Sequence, residues 1–395
     1  MSLLSLHNSS GPRPPRRVLT ELAWAMLPAL GLLIYDLARG ELVRLQPDAQ
    51  LYLSVADNFL ASGRFIQNVR AAGSFVVPPG LPVILTLLRL VGLSPGGIAA
   101  VQYALFALSC FLLRRTEEAL FGRPGISPAV YALALFRARL TLGNVFVEHW
   151  FLPVLCAILY MAARKDITPG KRLFWLHLLT LFAAALRPVL AVLYIPVLVY
   201  TFSVLRKGAA PCRVLWLLLL PCLLWSANAA VNHRETGHWI AAENYAGEDM
   251  YLANNPGTRT ELYEYENRTL FLGGDESALA AYDDPDPTVR DAALRSAALR
   301  WIAGHPGAFC RNTAMKFLRL FGLYWLGGFF LSLAAGVWLA GKSKNRVLLR
   351  TAVGTALALA LVTSAGLAVG RYSIVVWPLS SVLLSVTAVR LFRKN

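Results

Sequence analysis

Apolar residues run in long blocks along most of this chain, and the polar segments between the blocks are short. The blocks are Val18–Ala38, Val76–Leu93, Ile98–Leu113, Ile126–Leu142, Val145–Ala163, Leu173–Leu186, Val189–Leu205 and Val214–Ser226. After a longer polar stretch come Phe317–Ala340, Leu348–Val369 and Ser373–Leu391. An apolar run of about 20 residues crosses a bilayer as a helix. The pattern therefore predicts an all-α polytopic membrane protein with about 10 transmembrane helices.

The connections orient these spans. Arg13, Arg16 and Arg17 precede the first block and no small-residue cleavage site follows it, so it reads as an uncleaved first span leading outward. Lys165, Lys171, Arg172, Arg206, Lys207 and Arg213 mark inner connections, as do Lys342, Lys344, Arg346 and Arg350 and the terminal Arg390, Arg393 and Lys394. These assignments place residues 39–75 and the polar stretch 228–311 outside. Counting every early block as a crossing gives the wrong parity, so one of them is broken or re-entrant. The candidates are Ile126–Leu142, which carries Arg137 and Arg139, and the pair meeting at Arg187-Pro188. The expected organisation is an N-terminal transmembrane module, 1–227, with a periplasmic loop at 39–75. A periplasmic loop domain, 228–312, and a three-span segment, 313–395, complete it.

Composition supports the membrane reading. Hydrophobic residues make up 56%, the mean hydropathy is +0.53, and charged residues are 15% against about 25% in soluble domains. The net charge of +16 could suggest nucleic acid, but the basic residues sit in short clusters between apolar blocks, so no nucleic-acid partner is expected. The five cysteines show neither a disulfide framework nor metal-ligand spacing.

Two polar segments carry more pattern. From Pro47-Asp48, apolar residues Leu51, Tyr52, Val55, Ala56, Phe59 and Leu60 recur at helical spacing up to Gly63, which predicts an amphipathic helix lying on the membrane surface. It leads to the Pro78-Pro79-Gly80 turn. An acid held beside a span is expensive unless it faces water or a reactant, which makes Asp48 a candidate catalytic group. Further on, Asp286, Pro287 and the apolar set Val289, Ala292, Ala293, Ala297, Trp301 and Ile302, ending before Gly304 and Pro306, predict a capped amphipathic helix.

Taken together, these residues resemble a family. Asp48 with Tyr52, the surface helix ending in Gly63-Arg64-Phe65 and the Pro-Pro-Gly-Leu-Pro turn come first. Val147-Glu148, Leu186-Arg187-Pro188, Trp225 with Asn228, Tyr251 to Pro256 and Gly370-Arg371-Tyr372 follow in order. The set is similar to bacterial glycosyltransferases of the GT-C superfamily, relatives of protein O-mannosyltransferases and lipid A aminoarabinose transferases, over about residues 20–390. The resemblance implies a GT-C-type bundle in the bacterial inner membrane with its active site facing the periplasm. A sugar would move from a polyprenyl-phosphate donor to a lipid or glycan of the cell envelope, lipopolysaccharide included.

Breaking the donor bond leaves negative charge on a phosphate. The site therefore needs a carboxylate to take the acceptor's proton and a fixed cation for the leaving group. Asp48 is the candidate base in a single inverting displacement. Arg371 with Tyr372, and Lys316 and Arg319, are the candidate phosphate-binding residues. Glu148, His149, Arg187, Arg137, Tyr52 and Asn255 are candidate supporting residues around the cavity, with a structural partnership open for each charged one. Arg137 and Arg139, two apart, face different sides of any helix. Many relatives carry a second acid beside the first, whereas Ala49 follows Asp48 here, so the assisting acid is open, Glu41 and Asp57 among the choices. The lipid-linked donor is a substrate, and neither cofactor nor metal is expected. Competing readings are a transporter or flippase of lipid-linked sugars, which the lack of inverted internal symmetry disfavours, and a GT-C-like subunit without activity. The sequence does not specify an oligomeric state.

Overall fold

The computed structural model describes residues 15–41, 43, 45–69, 73–137, 142–208, 216–258, 275–342, 346–365 and 374–391. The helices are α1 Pro15–Ala38, α2 Pro47–Ser62, α3 Gly80–Leu90, α4 Pro95–Phe121, α5 Ser127–Arg137, α6 Glu148–Ala163, α7 Pro169–Leu186, α8 Tyr194–Arg206 and α9 Leu219–Thr236. They continue as α10 Ala246–Ala253, α11 Glu276–Tyr282, α12 Pro287–Gly304, α13 Pro306–Lys342, α14 Arg346–Ala365 and α15 Trp377–Leu391. The chain is an all-α membrane protein to which one small antiparallel hairpin is added, β1 Gln67–Val69 with β2 Gly73–Phe75, Gln67 pairing with Phe75.

Among the described residues, Leu19–Ala38, Pro95–Phe121 and Pro188–Arg206 are long and apolar enough to cross a membrane. Pro306–Phe321 with Trp325–Gly341, bent by 95°, is a fourth if the bent pair counts as one span. Shorter apolar helices stand beside them, Gly80–Leu90, Ser127–Phe136, Glu148–Ala163, Leu349–Ala365 and Ile374–Val389. A helix too short to span keeps its end groups satisfied only where protein surrounds it. Consistent with that need, α6 buries Glu148 through Cys156 without a gap. α1, by contrast, exposes Leu19, Trp24, Leu27, Leu30 and Ile34 to the surroundings, as a lipid-facing helix should.

Acids on α1 are paired rather than bare. Asp36 is buried and accepts from the Tyr103 hydroxyl at 2.6 Å, while Glu21 meets Arg115 at 3.4 Å. Both partners lie on α4, so these contacts fix α1 against α4 at two levels. The α7–α8 region breaks at Arg187-Pro188: α7 stops at Leu186, Arg187 is extended (φ −148°, ψ 113°), and a 3-10 segment, Pro188–Leu193, precedes α8. Proline lacks the N–H that would continue the helix. α5 covers only the first part of Ile126–Leu142.

α10, α11 and α12 share a small core of Tyr251, Leu252, Ala278, Leu294, Ala297 and Ala298. Asp286 caps α12 as its residue type and place predict, its carboxylate accepting from the Thr288 and Val289 N–H groups at 2.8 and 3.4 Å. The buried face of α12 differs from the expected one, since it consists of Pro287, Asp291, Leu294, Ala297 and Ala298, whereas Val289, Ala292 and Ala293 are exposed. Asp291 is the reason. It accepts from the Gly247 and Glu248 N–H groups and pairs with Arg295, so the helix turns a polar residue inward toward α10. Gly247 meets that contact closely enough that any side chain would collide with Asp291.

Candidate functional site

Asp48 sits in the first turn of α2, where the helix dipole favours a carboxylate. The N-cap is Gln46 rather than Asp48, and Pro47 opens the helix. The helix ends at Gly63, left-handed at φ 71°, whose N–H closes on the Phe59 carbonyl at 2.8 Å. Ala49, Tyr52, Leu53, Val55 and Ala56 form the buried face, and Phe59 and Leu60 stay exposed. Three contacts anchor α2. Asp57 meets Arg89 of α3 at 2.9 Å, the Asn58 side chain donates to the Ile66 carbonyl at 3.0 Å, and Phe59 packs edge-on against Phe65.

The Pro-Pro-Gly turn has a steric role. A Cβ on Gly80 would lie 2.7 Å from the Ala185 carbonyl carbon and 2.7 Å from the Leu186 nitrogen. Only glycine lets the start of α3 approach the end of α7 so closely. That approach sets the position of Arg187, the next residue along.

Arg187 reaches Glu148, its Nη1 lying 3.1 Å from Oε1, with the Glu148 side chain buried and the Arg187 side chain 23% exposed. Glu148 opens α6, and the segment leading to it is held by Gln102 of α4. The Gln102 amide donates to the Leu142 and Asn144 carbonyls at 2.7 and 2.6 Å. Tyr52 is buried in the same region. Burial pushes its phenol up, Arg187 opposes that shift, and Glu148, Glu243 and Asp48 add to it.

The segment between α9 and α10 packs against the chain entering α3. Asn244 is tied to the strand-to-turn segment: its side-chain oxygen accepts from the Val76 N–H at 2.8 Å, its own N–H donates to the Val76 carbonyl at 3.3 Å, and its amide meets Thr288 at 3.3 Å. Glu243 is bonded to the Tyr245 hydroxyl, and its carboxyl is pushed up by burial, with Arg187 pulling the other way. Asp249 of α10 is pushed up to about 7, by burial first and then by Glu243 and Glu248, with Arg187 opposing and Asp48 adding a small push. Glu148 is the acid paired with Arg187, and the field of that guanidinium also reaches Tyr52, Glu243 and Asp249.

The other sequence candidates are placed as follows. His149 is buried at the start of α6, its ring 6.2 Å from that of Phe146. Asn255 is buried just past α10, donating to the Tyr251 carbonyl at 2.9 Å. Lys316 is buried in α13 and donates to the Ala253 and Ala365 carbonyls at 3.1 and 3.5 Å, joining the end of α10 to the end of α14. Arg319 is exposed one turn further on. Arg137 is the last residue of α5, and its side chain, Arg139, Arg371 and Tyr372 lie outside what is described. Glu41 pairs with Arg39 at 3.3 Å and Asp57 with Arg89, so both acids left open by the sequence have local partners. Glu243, Asp249, Tyr245 and Gln102 were not singled out from the sequence. A gathering of loop acids has no periodicity to betray it, and a glutamine within an apolar block looks like any tolerated polar residue.

Among the described residues, no three His, Cys, Asp or Glu side chains converge as metal ligands. No family model matches the chain, and no curated protein matches it. Among solved structures, ArnT from Cupriavidus metallidurans bound to undecaprenyl phosphate is similar, with 14% identity and a TM-score of 0.43 over 95% of this chain and 79% of that one. At that distance the residues described above have to carry the functional reading themselves.

Proposed function

We propose that this chain is an integral-membrane glycosyltransferase of the GT-C type, moving a sugar from a polyprenyl-phosphate donor to a lipid or glycan acceptor at the periplasmic face of a bacterial inner membrane. The observation that carries the reading is that α2, which starts with Asp48 and does not span, buries Tyr52 within the field of the Arg187–Glu148 pair at a broken helix. Intramembrane charge at a helix break is costly and is kept where it serves a reactant. In this reading Asp48 accepts the acceptor hydroxyl's proton as that oxygen attacks the anomeric carbon. The bond to the lipid phosphate breaks on the opposite face, with inversion, and no covalent sugar–enzyme intermediate forms.

Among the described residues, Arg187 is the cation that pairs with Glu148 and whose field also reaches Tyr52, Glu243 and Asp249, while Arg295 reaches Glu243. A guanidinium has five donors in a fork, which suits it to serve Glu148 and a phosphate oxygen together. Arg371 and Tyr372 remain part of the proposal on the sequence resemblance. Lys316 and Arg319 are further phosphate ligands in the same sense, with Lys316 also tying two carbonyls.

Purified protein in proteoliposomes, offered a panel of undecaprenyl-phosphoryl monosaccharides labelled in the sugar, tests the reading. Label leaving the lipid for an acceptor or for water, only with the protein present, supports a transferase. Movement of intact labelled lipid between leaflets without cleavage points instead to a flippase, and the absence of both to an inactive subunit.

A further inference from the structure

The stretch that carries Glu148 into place is unusual. Residues 142–150 are buried without a gap, yet α6 begins only at Glu148. Backbone that is neither helical nor in water leaves N–H and C=O groups for side chains to satisfy. Gln102 of α4, itself fully buried, does so for two of them, its amide nitrogen donating to the Leu142 and Asn144 carbonyls at 2.7 and 2.6 Å. The reverse setting of the carboxamide would aim its oxygen at both carbonyls, so its orientation is forced.

A second grip comes from α1. Asp36 takes the Leu142 N–H, and the hydroxyl of Tyr103, the residue after Gln102, donates to Asp36 at 2.6 Å. Leu142 is therefore held at both of its backbone groups. From Asn144 onward the stretch closes on itself, the Phe146 N–H donating to the Asn144 carbonyl at 2.8 Å and the His149 N–H to the Phe146 carbonyl at 3.2 Å.

We propose that Gln102, supported by Asp36 and Tyr103, is a positioning residue for the lipid phosphate: it fixes the stretch that ends in Glu148, and Glu148 in turn aims the Arg187 guanidinium. The inference rests on the proposed transferase reading, with Arg187 as a phosphate ligand. Arg187 is placed from two directions. The approach at Gly80 sets its backbone, and the contact of Nη1 with Glu148 Oε1 at 3.1 Å sets the direction of its long side chain. Only four residues separate Asn144 from Glu148, so movement at carbonyls that lose their donor passes to the carboxylate with little slack. Gln102 acts on the phosphate through that chain alone.

The test uses Gln102→Met, which keeps the length and bulk of the side chain and removes both donors. Binding of undecaprenyl phosphate and of undecaprenol, which lacks the phosphate, is measured in detergent micelles for the wild type and the variant, with folding checked by thermal unfolding. Loss of two hydrogen bonds should weaken undecaprenyl phosphate binding by about tenfold and leave undecaprenol binding within about twofold. The same substitution made in Glu148→Ala should cost less than about twofold on either ligand, because the link to Arg187 is already cut. Equal losses on the two ligands, equal losses in the two backgrounds, or no loss at all overturn the proposal and leave the transferase reading intact. Failure of the wild type to bind undecaprenyl phosphate more tightly than undecaprenol overturns both. Should Gln102→Met not fold, Tyr103→Phe, which removes only the hydroxyl on Asp36, is judged by the same comparison of ligands; should Glu148→Ala not fold, Arg187→Ala takes its place as the second background.

Discussion

Replacing Gly80 by alanine is the smallest change that should disturb the whole site. The added Cβ would stand 2.7 Å from the Ala185 carbonyl carbon, 2.7 Å from the Leu186 nitrogen and 2.8 Å from the Ala185 oxygen. Carbon pairs settle near 3.5 Å or beyond, so the start of α3 and the end of α7 must part by about 0.8 Å. All three obstructing atoms are backbone and cannot rotate away. Overpacking of this kind costs about 1–3 kcal/mol, and a backbone obstruction belongs at the upper end. The displaced residues adjoin Arg187, so binding should suffer along with stability.

Gly170→Ala, on α7 with nothing within 4 Å of the new atom, is the control. Thermal unfolding in detergent, followed through tryptophan fluorescence, and undecaprenyl phosphate binding provide the two readouts. Gly80→Ala should melt roughly 5 °C or more below the control and bind at least several-fold more weakly. Equal melting and equal binding in the two variants would refute the argument that this close approach positions Arg187.

Glu148→Ala should destabilise the protein by about 3 kcal/mol, because it leaves the Arg187 guanidinium facing a vacated buried site, whereas Glu148→Gln should lose less; equilibrium unfolding of the two variants checks the order. Asp286→Ala removes the cap of α12 and should cost about 1 kcal/mol. Its signature should be faster hydrogen exchange confined to the first turn of α12, with undecaprenyl phosphate binding unchanged.

The sequence made some parts of this structure readable and hid others for physical reasons. The α2 start at Pro47, its Gly63 end, the Asp286 cap and the break at Arg187-Pro188 all follow from local rules about proline, glycine and capping side chains, and each is found where those rules put it. The orientation of α12 was not readable, because counting apolar residues assumes that the helix buries its apolar stripe. Here Asp291 is drawn inward by backbone N–H groups of α10 and takes Val289 and Ala292 out to the surface. The same limit applies to the site. Asp48 could be found from one place in the chain, whereas the residues around Asn244 are brought to the site by its bond to Val76, 168 residues away, and no local pattern records that pairing.

The central claim is that Asp48 takes the acceptor's proton while other groups hold the lipid phosphate. The most direct measurement is the turnover of Asp48→Asn on a labelled undecaprenyl-phosphoryl monosaccharide that the wild type uses, alongside its binding of undecaprenyl phosphate. The account predicts that turnover falls by about 10²–10⁴-fold, the contribution of a positioned general base, while binding stays within a few-fold of the wild type. Turnover close to that of the wild type, in a folded variant that binds the lipid normally, would contradict it.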